Sequence, residues 1–392
     1  MSNATLQVGG GNWAAQDGKL LGYAVEPTSR RYLAREFTVN RNSSKWVLGS
    51  DGYLYEVPAD QPALEYYSDG TFRGALVEPQ STNELIYSAA MTTNPWILRG
   101  VSSLSTTELA PDGTSTAIKV QENDTDNNPA LFYRNDVSDG SEQTFSVWLK
   151  SDSNISIPIS TTGSAVGSSL SVTTEWQRFQ VTQSINGNLS GPHIGGFNSI
   201  TRGSGITFYA WGAQLEYSPI ATSYIPTTTN AVTRLKDDIF FTNASSVIGQ
   251  SEGTLFVEVD WQLTNGATQW IFSVNDSTFT NRVLLLKSAV DEYMDARVYK
   301  SGSAVWNEPY TSSLSGIQKI ALTYSATGGK MYINGSEVLD DANDLSFSAG
   351  TLTDVDFGQS ATSSGQANMW IRDARIYNTR LTDTQCQDLT TL

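Results

Sequence analysis

The feature that most constrains this chain is its rhythm. Short runs alternate apolar and polar residues, and Gly, Asn, Asp, Ser or Thr soon break each run. In "GTLFVEVDWQ", Leu255, Val257, Val259 and Trp261 fall on one side, with Glu258 and Asp260 on the other. In "EQTFSVWLKS", Phe145, Val147 and Leu149 share a side. A period of two belongs to a half-buried strand. "QKIALTYSATGGKMYINGSEV" gives Ile320, Leu322 and Tyr324, a Gly-Gly turn, then Met331 and Ile333. Asn334-Gly335 within it is a two-residue hairpin signal. "MWIRDARIYN" alternates as well. Helical periodicity is scarce. The one helix expected is C-terminal, in "LTDTQCQDLTTL", where Thr382 as N-cap and Gln385 three residues on complete a capping box. Leu381, Cys386 and Leu389 then lie along one side. The fold class expected is all-β: tandem β-sandwich or jelly-roll domains, a small N-terminal attachment region and a short C-terminal helix.

A length of 392 residues allows two or three domains. Charged residues are only 16%, while 10 Trp and 17 Tyr supply bulk for several cores. The net charge of -16 argues against nucleic acid, which needs clustered Lys and Arg, and against anionic lipid. One cysteine, Cys386, forbids an intrachain disulfide and fits folding in a reducing cytoplasm. The start, "MSNATLQVGGGNWAAQDGK", has neither the basic nor the apolar part of a signal peptide. No apolar run approaches the length of a membrane span, so no membrane insertion is expected. Linker chemistry places units at 1–75, 76–235 and 236–392. In the stretch joining the last two, "TFYAWGAQLE" reads as a final core strand. Phe208, Ala210 and Gly212 alternate there with Tyr209, Trp211 and Ala213. "YSPIATSYIPTTTNAVTR" reads as an exit segment, extended before Pro226 and solvated along its Thr run.

The residues offer little catalytic chemistry. His193, the sole histidine, sits in a Gly-rich loop and reads as structural or solvated. Cys386 reads as a buried thiol packing the terminal helix. One Cys and one His cannot make a zinc site. Glu258 and Asp260 share a face of one strand and read as a solvated face. No catalytic residue and no cofactor are expected. Ca2+ is the one ion that acidic turns at 111–116, 121–128 and 340–345 could hold. Sugar binding needs exposed rings and hydrogen-bonding neighbours. The stretch "DEYMDARVYKSGSAVWNEPYTSS" supplies Tyr293, Tyr299, Trp306 and Tyr310. Trp306, Asn307 and Glu308 are the expected stacking and hydrogen-bonding centre. Trp148 and Trp211 read as structural.

Several segments resemble known families. "FTVNRNSSKWVLGSDGYLYEVPADQPALEYY" (37–67) and "ALVEPQSTNELIYS" (75–88) resemble consecutive pieces of bacteriophage tail-fibre and virion-appendage proteins. "TFSVWLKS", "TTEWQRFQVT" and "TFYAWGAQLEYSPIATSYIPTTTNAVTR" resemble the rest of that module, a carbohydrate-binding-module-like jelly roll. Glu84 is an extra residue against that pattern, and Asn40-Arg41 stand where small residues are usual. "EGTLFVEVDW", "KIALTYSATGGKMYINGSEV", "VDFGQS" and "MWIRDARIYNTRLTDTQCQDLT" resemble the concanavalin A-like (laminin G-like) lectin and glucanase sandwich. Glucanases of that fold carry two catalytic Glu on an E-x-D-x-(x)-E strand; Trp261, Gln262 and Leu263 follow Asp260 here, so the second Glu is missing. The first 36 residues carry no resemblance.

The resemblance implies a non-enzymatic virion protein: a tail fibre, baseplate appendage or head fibre displaying sandwiches toward host-surface polysaccharide. It implies a homotrimer, attached to other virion proteins through 1–75, in a virion assembled in the host cytoplasm. A capsid decoration or cement protein is the alternative. A polysaccharide depolymerase or glycosidase ranks third.

Overall fold

The computed structural model describes residues 4–9, 14–16, 19–25, 32–99, 101–104, 106–122, 131–134, 142–161, 168–184, 191–195, 206–261, 268–278, 280–288, 293–312, 314–359 and 365–392. The chain is almost entirely β-structure and divides into two compact units. The larger comprises 1–44, 57–79 and 235–392; the smaller comprises 45–56 and 80–234.

The larger unit is a sandwich. Its first sheet runs Ser336–Asp341, Gly329–Ile333, Gly316–Ser325, Glu252–Trp261 and Met369–Tyr377, all antiparallel. Along the free side of Met369–Tyr377, Leu6–Gly9 takes one half and Phe72–Val77 the other. The second sheet runs Ser303–Tyr310, Met294–Lys300, Arg282–Lys287, Gln269–Asn275, Asp354–Phe357 and Asp238–Phe241. Strand Tyr32–Asn40 spans both sheets: it pairs with Lys19–Val25 in the first and with Asp238–Phe241 in the second. Leu255, Val257 and Ile320 meet Phe272, Val283, Leu285, Ala296 and Val355 in one buried core. The alternation in the sequence is thus the alternation of core and outer face. Asn334 and Gly335 both hold positive φ (49° and 83°), the geometry of the expected tight hairpin. The helix Asp383–Thr390 has both bonds of its capping box. Leu381, Cys386 and Leu389 pack on Phe256, Ala321 and Tyr332. Burial pushes the Cys386 thiol up to about 12, consistent with a packing role.

The expected separate unit at 1–75 is corrected by this architecture. Leu6, Val8, Leu20, Phe37 and Val39 lie in the core of the larger unit. Thr5 bonds the carbonyl of Ile376 through both its N–H (2.7 Å) and its hydroxyl (2.9 Å). Residues 45–56 belong instead to the smaller unit. Linker composition is a local signal, whereas these pairings join opposite ends of the chain.

The chain therefore crosses between units at 44–45, 56–57, 79–80 and 234–235. One buried ion pair in the larger unit gathers all four crossing segments. Arg41 donates from Nη1 to Asp237 (2.8 Å), from Nη2 to the Pro58 carbonyl (2.8 Å) and from Nε to the Ser43 carbonyl (3.0 Å). Asp237 accepts from the Glu78 N–H (2.9 Å) and donates its own N–H to the Glu78 carbonyl (3.0 Å). Both side chains are shut off from solvent. Arg41, the departure from the family pattern, is thus the residue that touches most of the crossings.

The smaller unit is a sandwich of two five-stranded sheets. One runs Val101–Leu104, Ile118–Glu122, Thr207–Glu216, Glu142–Ser151 and Gln177–Ser184; the other runs Trp96–Leu98, Leu131–Tyr133, His193–Ile194, Ile155–Ser160 and Ser168–Val172. Residues 81–85, 213–216 and 222–225 meet here in a buried polar lattice. Asn83 donates to the carbonyls of Ala213 and Ile225 and accepts from the N–H groups of Leu85 and Leu215. Glu216 accepts from Ser81, from the Thr222 N–H and from the Thr222 hydroxyl. Gln214 accepts from the Ile225 N–H and donates to the Thr222 and Ser223 carbonyls. The exit segment is docked along its first half, where Tyr224 and Ile225 are buried; of the Thr run expected to be solvated, Thr227 is buried while Thr228 and Thr229 are exposed. It ends in a strand, Val232–Arg234, paired with Ser81–Asn83. Trp148 and Trp211 are structural, packed with Tyr224 and Leu54. Gly212 has φ +66°, and a Cβ there would stand 2.8 Å from the Trp148 ring.

Removing one partner of a buried ion pair strands the other charge, at a cost of about 3–5 kcal/mol. Asp237→Ala is expected to lower the thermal midpoint of the larger unit markedly in calorimetry. A midpoint within a degree or two of the parent would show that the pair is not a structural tie.

Candidate functional site

The core-facing residues of the second sheet in the larger unit are Phe272, Val274, Val283, Leu285, Met294, Ala296, Val298, Val355 and Phe357. Their alternates form the outer face, and the register aligns them in rows. One row is Asn307, Arg297, Leu284, Ser273 and Asp356; the next is Tyr299, Arg282, Asn275 and Asp354. Ser273, Asn275, Arg282, Asp295 and Asp356 are nearly inaccessible to solvent although they point away from the core.

Arg282 lies over the Tyr299 ring, 3.8 Å from its centre, and 5.6 Å from that of Trp270. Burial lowers its pKa from the usual arginine value. Asn275 donates to Asp356. Burial first, then the nearby carboxylates of Asp354 and Asp238, push the Asp356 carboxyl up to about 7 against the Asn275 hydrogen bond. Arg297 pairs with Asp295 at 2.5 Å. Asp295 is 3% exposed, yet its Oδ1 has no partner among the described residues, and neither does Arg297 Nε. Burial raises the Asp295 pKa against the pull of Arg297. An acceptor and a donor of one buried ion pair thus stand unpartnered. Buried polar atoms without partners are rare, and a ligand that both donates and accepts would satisfy this pair.

Among the residues expected to bind sugar, Tyr299 and Asn307 lie on this face. Trp306 does not: it is 2% exposed, opposite Val298 in the core, and its Nε1 donates to Glu308 at 3.2 Å. A ring buried in a core offers no face for stacking, so the expected centre at Trp306 is corrected. Glu308 sits on the same side of its strand as Trp306, and Tyr310 packs partly buried on the core. Tyr293 precedes the strand Met294–Lys300, and its carbonyl accepts from the Ser288 N–H. The residues missed are Ser273, Asn275, Arg282, Asp295, Arg297, Asp354 and Asp356. Their signal is the polar alternates within "FSVN", "RVLLLK", "MDARVYK" and "DVDF".

The carboxylates weighed for hydrolysis lie on the first sheet, each against an arginine. Glu258 accepts from Arg372 at 2.8 Å, and Asp260 from Arg73 at 2.8 Å and the Tyr67 hydroxyl at 2.9 Å. Arg73 in turn lies 3.2 Å from the centre of the Trp370 ring. His193 is buried in a short strand of the smaller unit, where burial holds its pKa down to about 4. Of the turns weighed for Ca2+, Asp112 accepts from Thr114, Asp341 from Asn343 and Asp344 from Ser346. Most of 121–128 lies outside the described residues.

No family model matches the chain. No curated protein matches it either. Solved structures match parts of it. The CBM40 module of the Ruminococcus gnavus IT-sialidase, bound to α2,3-sialyllactose, is 16% identical over 38% of this chain and 87% of that one, with a TM-score of 0.33. Domain 4 of AbnA, an extracellular GH43 arabinanase from Geobacillus stearothermophilus, in complex with arabinotriose, is 18% identical over 44% and 82%, with a TM-score of 0.34. The NanB sialidase from Streptococcus pneumoniae is 13% identical over 39%, with a TM-score of 0.33; the match spans 26% of that longer chain. Likenesses this distant transfer no ligand, activity or partner to this chain.

Asp356 and His193 predict opposite responses to acid in the two units. The Asp356 pKa rises from 3.8 to about 7 on folding. The native carboxyl therefore holds a proton that the unfolded one has lost between those values. Its contribution is complete below about pH 4 and is lost as pH rises to about 7, on the order of 4 kcal/mol. His193 falls from 6.5 to about 4, so its contribution is lost as pH falls through that window. Calorimetry from pH 7 to 4.5 is expected to show the larger unit gaining and the smaller losing these increments. Asp356→Asn should flatten the larger unit's slope; an unchanged slope would refute the assignment.

Proposed function

We propose that the protein is a non-enzymatic component of a bacteriophage virion whose larger unit binds host-surface glycan on the outer face of its second sheet. The observation that carries the binding is the unpartnered pair Asp295 Oδ1 and Arg297 Nε, buried beneath the exposed Asn307 and near Arg282 and Tyr299. A sugar hydroxyl donates and accepts at once, so it fits an adjacent acceptor and donor, while Tyr299 supplies an apolar surface. The virion assignment is supported by the ordered resemblance of segments 37–67, 75–88 and 207–234 to tail-fibre and appendage proteins. In that setting the protein is a homotrimer, and weak single sites gain by multivalency.

The absence of catalysis is part of the same reading. A glycosidase needs two carboxylates free to trade protons or attack, and Glu258 and Asp260 are each held by an arginine. No cofactor enters.

Binding of bacterial surface polysaccharides to the full chain is expected to weaken at least tenfold in Asn307→Ala and in Asp295→Asn, roughly 1.4 kcal/mol or more each. Equal affinity in both variants, with the fold intact by circular dichroism, would remove this face. Reducing ends released from the same polysaccharides, and lost in Glu258→Gln, would overturn the non-enzymatic reading. Gold-labelled antibody on phage particles is expected to decorate the virion; labelling confined to host debris would sink the virion assignment.

A further inference from the structure

Two tyrosines on the smaller unit stand out from its surface. Strand Leu54–Val57 pairs with Lys45–Leu48 in a two-stranded hairpin. Leu54 turns into the aromatic cluster of Trp148, Trp211 and Tyr224. Its neighbours Tyr53 and Tyr55 therefore point the other way, and they are 39% and 50% exposed. They are two of only six large hydrophobic side chains so exposed among the described residues. Residues two apart on a strand stand about 7 Å from one another on one face.

The Tyr55 ring is set in place rather than left loose. Tyr55 lies against Gly49, where a Cβ would stand 2.5 Å from its Cε2, so only glycine lets the ring rest there. Its hydroxyl donates to Asp51 at the far end. That bond is the chief cause holding the Asp51 pKa below the usual carboxylate range. Tyr53 lies beside Gly113, whose φ of +77° suits glycine, and its N–H donates to the same Asp51 at 3.2 Å. Asp51 is exposed at the rim. An exposed ring clamped at both ends has already lost the freedom that binding would otherwise cost.

We propose that Tyr53 and Tyr55 form a second glycan-binding platform, on the smaller unit, for a neutral polysaccharide. The rings stack on sugar faces, and Asp51 accepts from sugar hydroxyls. The choice of a neutral polymer follows from charge. The rim is acidic and the whole chain carries -16, so uronates and other anionic sugars meet repulsion. The platform stands on its own residues and does not depend on the site in the larger unit.

The test uses the full chain carrying Asn307→Ala, to silence the first site, in affinity electrophoresis through gels holding glucan, mannan, galactan or arabinan. Retardation by at least one polymer is expected. Tyr53→Ala with Tyr55→Ala should weaken it at least tenfold, while Tyr53→Phe with Tyr55→Phe should hold it within about threefold. Both positions are exposed, so unchanged thermal midpoints confirm that folding is intact. No retardation by any polymer, or equal retardation in the alanine variant, overturns the platform. So does a fall in oligomer size on alanine substitution with binding untouched, which would make the tyrosines a contact between copies.

Discussion

The structure depends on the pairing of Arg41 with Asp237. Each unit is assembled from pieces separated in sequence, so the larger one must hold four chain crossings in register. A guanidinium suits that task because its planar fork reaches several acceptors at once. It takes one carboxylate and the carbonyls of Ser43 and Pro58, while the carboxylate takes Glu78. Such a pair is costly to desolvate, and its value lies in fixing one arrangement of segments whose apolar content alone would tolerate others.

The smaller unit solves the same problem with two side-chain amides and a carboxylate. Asn83, Gln214 and Glu216 bind backbone groups of the exit segment and of the Ser81–Asn83 strand. These groups close the domain from within, and closing it does not fix what its surface binds.

Much of the fold was legible. Alternation marked the strands of the larger unit, Asn334-Gly335 its hairpin, and Thr382 with Gln385 the helix start. Each is a local rule acting over two to four residues. The candidate site was less legible. Tyr299 and Asn307 belong to the outer face, but Trp306 beside them lies in the core. The sequence around it mixes polar and apolar residues on both alternates. Its facing is set by the bulge between Val298 and Tyr299, where the two strands slip register. Asp295, Arg297, Asn275 and Asp356 were each ordinary strand residues until their strands were laid side by side.

By itself the sequence determined an all-β chain, because period-two patterning and turn chemistry are properties of neighbouring residues. It also determined the acidic balance that disfavours nucleic acid as a partner. Only the tertiary structure decided which strands share a sheet, that residues 1–44 complete the larger sandwich, and that 45–56 complete the smaller. It alone decided which alternate of each strand meets the core. Those choices rest on pairings between residues up to 371 positions apart, such as Thr5 with Ile376. A strand's own residues offer two faces and two edges; the partners that arrive from elsewhere in the chain choose between them.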